Sequence, residues 1–368
     1  MIKGVLSKNV FKRNKIIRFL VFCLKSFQTL LIIIRNWPLL TSLICEDSVK
    51  IVIRPKGPYE AFINQCLYQD DKGNLRLIGR LTNWRYEPRC DLIGNSIRRN
   101  WDVVKEPKSG IFELTVDFNL ERVSFKELIP SSFPPNFEDP RLLFLGSKLH
   151  LLLTEVSIST TGRLNSSVSL FDTQLMSIKK LEVSIAKSIE KNWVPIDLYQ
   201  SELRLLYSAK PWVEITNLRE SKDRITMQLR KCKGRSEKAT NGGTAIVQLL
   251  DGRWIRIARQ KRRLFLFGWI HLNYLMIYNS NFELTETLGP FIFRKLGLEV
   301  CNGIFLKGEK IHFSWTEDDE TSFLAELDLG GLKTKKPSQG FFRESSDLLR
   351  ALRGKPLRNF AGAKELFL

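Results

Sequence analysis

Asn136-Phe137-Glu138-Asp139-Pro140-Arg141 leads without a break into Leu142-Leu143-Phe144-Leu145-Gly146-Ser147-Lys148-Leu149-His150-Leu151-Leu152-Leu153. The second half is two apolar runs, Leu142–Phe144 and Leu149–Leu153, around Gly146-Ser147-Lys148, which predicts a hairpin. The first half sets Glu138, Asp139 and Arg141 around Pro140. Adjacent charged residues cannot all face a core, because a strand sends neighbours to opposite faces, and Pro140 fixes φ and offers no donor. The stretch reads as the tight start of a strand that presents a carboxylate into a cleft, with Arg141 available to hold one acid ionised. On these residues alone, a solvated turn with a local ion pair stays open.

Short strand signals extend outward from this hairpin in both directions. Val49–Ile53 is β-branched, Leu75–Leu81 alternates after a Gly73-Asn74 turn, and Ile111–Phe118 alternates again. Val168–Phe171, Leu203–Tyr207 and Ile225–Leu229 follow. Ala245–Leu250 and Trp254–Ala258 flank Asp251-Gly252, a second hairpin signal. Leu272–Tyr278, Gly303–Leu306, Ile311–Trp315 and Phe323–Leu327 complete the series, with a turn at Gly308-Glu309-Lys310. Strands at this spacing without a long helix between them predict an all-β chain. About 280 residues of this pattern exceed one simple sandwich; a five-bladed β-propeller, at roughly 55 residues per blade, fits the length. No clean repeat marks the blades. The expected organisation is a basic, apolar helical extension over residues 1–46, a propeller over 47–330, and a basic tail over 331–368 with a short helix from Glu344 to Arg353.

With 368 residues, 43% hydrophobic, and 8 Trp and 24 Phe, the chain can bury one large core or two ordinary ones. The formal charge of +19 favours polyanionic partners: nucleic acid, anionic lipid or phosphorylated substrates such as sugar nucleotides. No zinc-finger or RNP signature is present, so nucleic acid is not expected. Cys23, Cys45, Cys66, Cys90, Cys232 and Cys301 form no CxxC pair, and there are 3 histidines, so neither a metal site nor a cofactor is expected. Scattered cysteines suit a reducing, cytoplasmic setting as small buried apolar groups. His150, His271 and His312 read as packed or surface histidines rather than catalytic bases. Residues 1–40 carry Lys3, Lys8, Lys12, Arg13, Lys15, Arg18, Lys25 and Arg35 and no acid. Ile16–Ile34 is apolar but broken by Lys25, which disfavours a span. The extension could lie on an anionic membrane surface, pack on the protein body, or act as a signal anchor; all three stay open.

Several stretches together resemble the five-bladed β-propeller glycosidase superfamily, and within it the β-mannoside phosphorylases and related mannosyltransferases. The resemblance runs over roughly residues 55–330. Glu138-Asp139-Pro140-Arg141 before a strand is its strongest piece. Phe62-Ile63-Asn64, Arg80-Leu81-Thr82-Asn83-Trp84 and Glu190-Lys191-Asn192-Trp193-Val194-Pro195 resemble family blocks in the same order. Asn241-Gly242-Gly243-Thr244, Glu299-Val300-Cys301-Asn302-Gly303 and Ser314–Asp319 follow, the last with Thr316 where the family has Gly. The resemblance implies that Asp139 is the proton donor. It further implies that Asn64, Arg80, Asn83, Glu138, Arg141, Lys191 and Asp319 line a sugar-binding channel. For Asn64 and Asn83, turn capping is the alternative; for Trp193 and Trp315 it is core packing. Glycosidic chemistry needs an acid at the bridging oxygen and charge stabilisation of an oxocarbenium-like state, which these residue types can supply.

The chain also departs from the phosphorylases. Tyr207-Ser208 stands where they have His-Arg, and Ala258-Arg259 where they end a strand with histidine; Arg163 matches a family arginine only loosely. The expectation is therefore an enzyme forming or cleaving glycosidic bonds of mannose-like sugars, with an oligosaccharide or sugar-nucleotide substrate. A non-catalytic glycan-binding propeller that has lost the phosphate site is the alternative.

Overall fold

The computed structural model describes residues 20–21, 23–33, 48–55, 61–83, 86–88, 97–99, 108–117, 119–130, 136–158, 164–183, 192–209, 212–232, 242–264, 268–318, 320–329 and 362–368. These residues are almost entirely β. The strands are β1 (Val49–Arg54), β2 (Ala61–Gln69), β3 (Leu75–Thr82), β4 (Tyr86–Pro88), β5 (Ile97–Arg99), β6 (Ser109–Val116), β7 (Arg122–Ile129) and β8 (Asn136–Leu145). Next come β9 (Lys148–Ile158), β10 (Leu164–Asp172), β11 (Ser177–Val183), β12 (Val194–Pro195), β13 (Tyr199–Gln200), β14 (Arg204–Ala209), β15 (Trp212–Glu220) and β16 (Arg224–Lys231). The last are β17 (Val247–Gln248), β18 (Trp254–Leu264), β19 (Gly268–Tyr278), β20 (Leu284–Phe291), β21 (Glu299–Lys307), β22 (Lys310–Glu317), β23 (Thr321–Asp328) and β24 (Lys364–Phe367).

They pair as consecutive antiparallel meanders. β2-β3-β6-β7 and β17-β18-β19-β20 form two four-stranded sheets. A nine-stranded sheet contains the meanders β8-β9-β10-β11 and β12-β14-β15-β16, joined where β11 runs parallel to β16. The sheet containing β21-β22-β23 is extended by β1, antiparallel to β23, and β24 lies parallel to β1 beyond it. Strands from the two ends of the chain thus complete one sheet. Lys364–Phe367 belongs to this sheet although it lies in the stretch read as a tail. Strand β2 approaches β8 and β21, β8 approaches β12 and β21, and β17 and β18 approach β21, so the leading strands of the meanders converge.

The hairpin that opened the sequence reading forms as expected, β8 and β9 turning at Gly146-Ser147. Its near-continuous apolar run has a direct cause. Leu142 and Leu151 enter one hydrophobic cluster, while their neighbours Leu143 and Leu152 enter another on the opposite face. A strand buried on both sides does not alternate. Each such leucine is worth about 1.5–3 kcal/mol of apolar burial. The strand expected at Ala245–Leu250 is confined to Val247–Gln248, because Ile246 donates instead to the Pro195 carbonyl and bridges Ile196. The segments expected at 1–19, 34–46 and 344–353 lie outside the described residues.

Candidate active site

Two strand irregularities make the site. Pairing of β2 with β3 slips between Ile63 and Cys66, and pairing of β8 with β9 slips between Glu138 and Arg141. At these bulges Asn64 and Asp139 take positive φ, 58° and 50°. Bulges free a residue from the ladder and re-aim its side chain. Asn and Asp tolerate this backbone better than other residues with a Cβ. The Asn64 amide Nδ2 donates to Asp139 Oδ1. The backbone N–H of Asn64 is held by Thr316 Oγ1 at 2.9 Å, and Asn302 Nδ2 donates to the Asn64 carbonyl at 3.5 Å. Thr316 therefore positions the β2 bulge from β22.

Arg141 is buried behind Asp139. Its Nη1 donates to the Gly243 carbonyl and its Nη2 to Asn302 Oδ1 at 3.3 Å. Burial, with Arg259 and Arg256 nearby, pushes its pKa down to about 10, while Asp139 pulls the other way. It stays charged at neutral pH. Arg80 and Glu138 form a close pair at 3.0 Å, both largely shielded from solvent. Glu138 and Asp139 thus have different surroundings despite being adjacent. Glu138 is matched to the buried Arg80, and Asp139 takes the Asn64 amide donor.

The expected Asn64, Arg80, Glu138, Asp139 and Arg141 converge on this centre. Asn83 instead accepts the Lys108 backbone N–H on its Oδ1 at 2.7 Å, which continues the β3–β6 pairing one step past Thr82 and Ser109. Lys191 and Asp319 lie outside the described residues. Trp193 and Trp315 are core residues: Trp193 lies against Tyr207, and Trp315 stacks between Phe293 and Phe323 at 4.7 and 4.8 Å. His150 faces Asp172 at 3.6 Å, and His312 stacks on Phe305 at 4.6 Å.

Sequence reasoning passed over several members. Arg259, on β18, donates to Asn192 Oδ1 at 3.4 Å and is buried close enough to Arg141 to oppose its charge. Arg256 adds to the same field. Gly242 lies between Asn192 and Arg141: a Cβ there would sit 3.1 Å from Asn192 Oδ1 and 3.4 Å from Arg141 Nη2. His271 is buried beside Arg259, with Nδ1 3.1 Å from the Glu299 carbonyl; burial and the arginine hold its pKa well below the ordinary value, so it is neutral. No local signal marks them: three residues apart on β18, Arg256 and Arg259 lie on opposite faces of the strand, and both are buried.

No family model matches the chain, and no curated protein matches it. Among solved structures it resembles a β-1,2-mannobiose phosphorylase from Listeria innocua, at 12% identity over 75% of this chain and 91% of that one, TM-score 0.48. It also resembles a glycosyl hydrolase from Bacteroides ovatus, at 12% identity over 81% and 87% of the two chains, TM-score 0.47. A third is a mannose phosphorylase from Leishmania mexicana in complex with phosphate ion, at 11% identity over 76% and 87%, TM-score 0.45. At these scores the likeness by itself decides neither fold nor activity.

Proposed function

We propose that this chain is a carbohydrate-active enzyme that forms or cleaves glycosidic bonds of mannose-like sugars on a five-bladed β-propeller. In this reading β2-β3-β6-β7, β8-β9-β10-β11, β12-β14-β15-β16, β17-β18-β19-β20 and β21-β22-β23-β1 are the blades. Asp139 is the proton donor. The observation that carries the reading is Asp139 itself, set at positive φ on a bulge where the leading strands converge, bonded by Asn64 and backed by buried Arg141. A carboxyl on strained backbone with an amide partner fits a group held for chemistry better than a solvated turn.

Asp139 passes a proton to the bridging oxygen as the bond from that oxygen to the anomeric carbon breaks, and phosphate, water or an acceptor hydroxyl takes the carbon. Asn64 fixes the carboxyl, Arg80 holds Glu138, and Arg141 supplies a fixed positive charge behind the site. Lys191 and Asp319 are assigned to sugar binding by the motif resemblance alone. The arginine field of Arg141, Arg256 and Arg259 favours an anionic co-substrate, either inorganic phosphate or the diphosphate of a sugar nucleotide. The phosphorylase arginines and histidine absent from the sequence pattern leave Arg259 as the cation in that place.

The test is turnover of manno-oligosaccharides, alone and with phosphate, and of sugar nucleotides with mannose acceptors. Asp139→Asn should lower the rate by about 10²–10⁴-fold, the usual range for a general acid. Binding of a manno-oligosaccharide should survive. Unchanged turnover in Asp139→Asn, or no turnover of any of these by the wild type, would sink the reading. Retained glycan binding without turnover would leave a glycan-binding propeller in its place.

A further inference from the structure

Residues 20–21 and 23–33 are helical, and the helix is built inside out. The face resting on the body carries Ser26, Thr29 and Ile33, exposed by 4%, 1% and 0%. Ile33 joins the cluster of Val194, Trp212 and Ile270, with Leu30 and Ile32 packed alongside. Thr29 Oγ1 donates to the Lys25 carbonyl at 2.8 Å, which satisfies its hydroxyl within the helix. The opposite face carries Leu20, Leu24, Phe27 and Leu31, exposed by 60%, 58%, 59% and 50%. Their spacing places them on one line down the helix. A helix that only covered the body would turn these four inward and the serine and threonine outward. Large apolar groups aligned on a helix already seated by its other face mark a surface that meets something else.

Charge indicates what that is. Residues 1–45 contain eight lysines and arginines and no acid, the first acid being Glu46. Lys25 is exposed on the helix itself. A second copy of the chain would bring two such basic segments together, which repulsion opposes. An anionic bilayer accepts both the apolar stripe and the charge. We propose that this helix lies in the plane of an anionic lipid bilayer. Leu20, Leu24, Phe27 and Leu31 insert among the acyl chains, and the β body stays anchored through Ile33. At about 1.5 Å per residue, residues 20–33 extend roughly 21 Å, short of the ~30 Å hydrocarbon core. Among the described residues no helix is long and apolar enough to cross a membrane. The proposal does not depend on the glycosidic reading.

The full chain should sediment with vesicles of phosphatidylcholine plus phosphatidylglycerol, and much less with phosphatidylcholine alone. Added salt should weaken the binding. The double variant Leu24→Asp/Phe27→Asp should bind at least about tenfold more weakly, since both contributions are needed for stable association. A separate Phe27→Trp variant should show a blue-shifted emission on adding anionic vesicles and quenching by brominated lipid. That readout stands even if the aspartate variant fails to fold. Absence of sedimentation, equal binding by a folded aspartate variant, or no spectral shift in Phe27→Trp would each overturn the proposal. So would self-association in sedimentation equilibrium that the aspartate variant abolishes, which would assign the stripe to a second copy.

Discussion

Arg141 can be buried because both ends of its guanidinium fork have acceptors, the Gly243 carbonyl and Asn302 Oδ1. Removing the side chain strands those acceptors and leaves a hole against Asp139. Arg141→Ala should therefore destabilise the fold by about 2–4 kcal/mol, from the 1–3 kcal/mol typical of each stranded polar group. Urea unfolding midpoints at constant slope would check it; a loss below about 0.5 kcal/mol would mean the arginine is better solvated than its burial indicates. His271 gives a pH dependence. Its folded pKa is depressed from 6.5 by burial and by Arg259, so the unfolded chain binds the extra proton. Stability from this group is fully present above pH 6.5 and is lost as pH falls below it, at up to about 1.4 kcal/mol per pH unit. His312, also depressed by burial, acts with the same sign. A His271→Gln variant should show a shallower loss between pH 7 and pH 5, read from unfolding midpoints. At this scale Asp139, Asn64, Glu138, Arg80 and Arg141 were legible because each sits in a recognisable local block. Arg256, Arg259 and Asn302 were not singled out as site members: nothing in the neighbouring residues marks a role for them, and only the fold brings them to Arg141.

Strand irregularity, rather than strand regularity, positions the site. The two bulges on β2 and β8 place Asn64 and Asp139 in reach of each other across 75 residues of sequence. A third special backbone supports them. Gly243 has φ 139°, bridges Ala258, and brings its carbonyl to Arg141. A Cβ there would collide with the Ile257 carbonyl oxygen, which is backbone and cannot swing away. Gly243→Ala should cost on the order of 3 kcal/mol, combining backbone strain with overpacking. It should also reduce turnover, because the Arg141 acceptor moves. A thermal shift under about 2 °C would contradict this. Strands such as β3, β9 and β22 were readable in the sequence because burial makes them apolar, but β2, buried from Ala61 to Leu67, was not read as a strand because Asn64 and Gln65 interrupt its run. Two outer strands were not read either: β7 and β20 are mostly exposed or half-buried, mix charge with apolar residues and show no clean alternation. β11 and β15 were missed for the same reason along their exposed parts. Nothing local in Lys364–Phe367 announces that it will pair with β1, more than 300 residues away.

The molecule as a whole carries +19, and part of that charge lies in its interior, where Arg256 and Arg259 both act against Arg141. Folding keeps these cations together at a cost that solvent cannot screen as it screens surface charge. An anion that enters the centre relieves that repulsion and binds only the folded state, so it must raise stability by mass action. Two effects have to be separated. Any salt weakens repulsion among surface lysines and arginines, and does so in proportion to ionic strength. A divalent oxyanion in the site adds a saturable increment, about 2.7 kcal/mol when its concentration reaches a hundred times its dissociation constant. Phosphate or a nucleoside diphosphate should therefore raise the melting temperature more than chloride at matched ionic strength. The excess should saturate with concentration. Arg259→Gln should remove the excess and leave the chloride effect, since it takes one cation from the interior and hardly alters the surface. If phosphate and chloride act alike in the wild type, the interior arginines serve only Asp139 and the protein framework, and an uncharged co-substrate such as water becomes the better partner for the reaction.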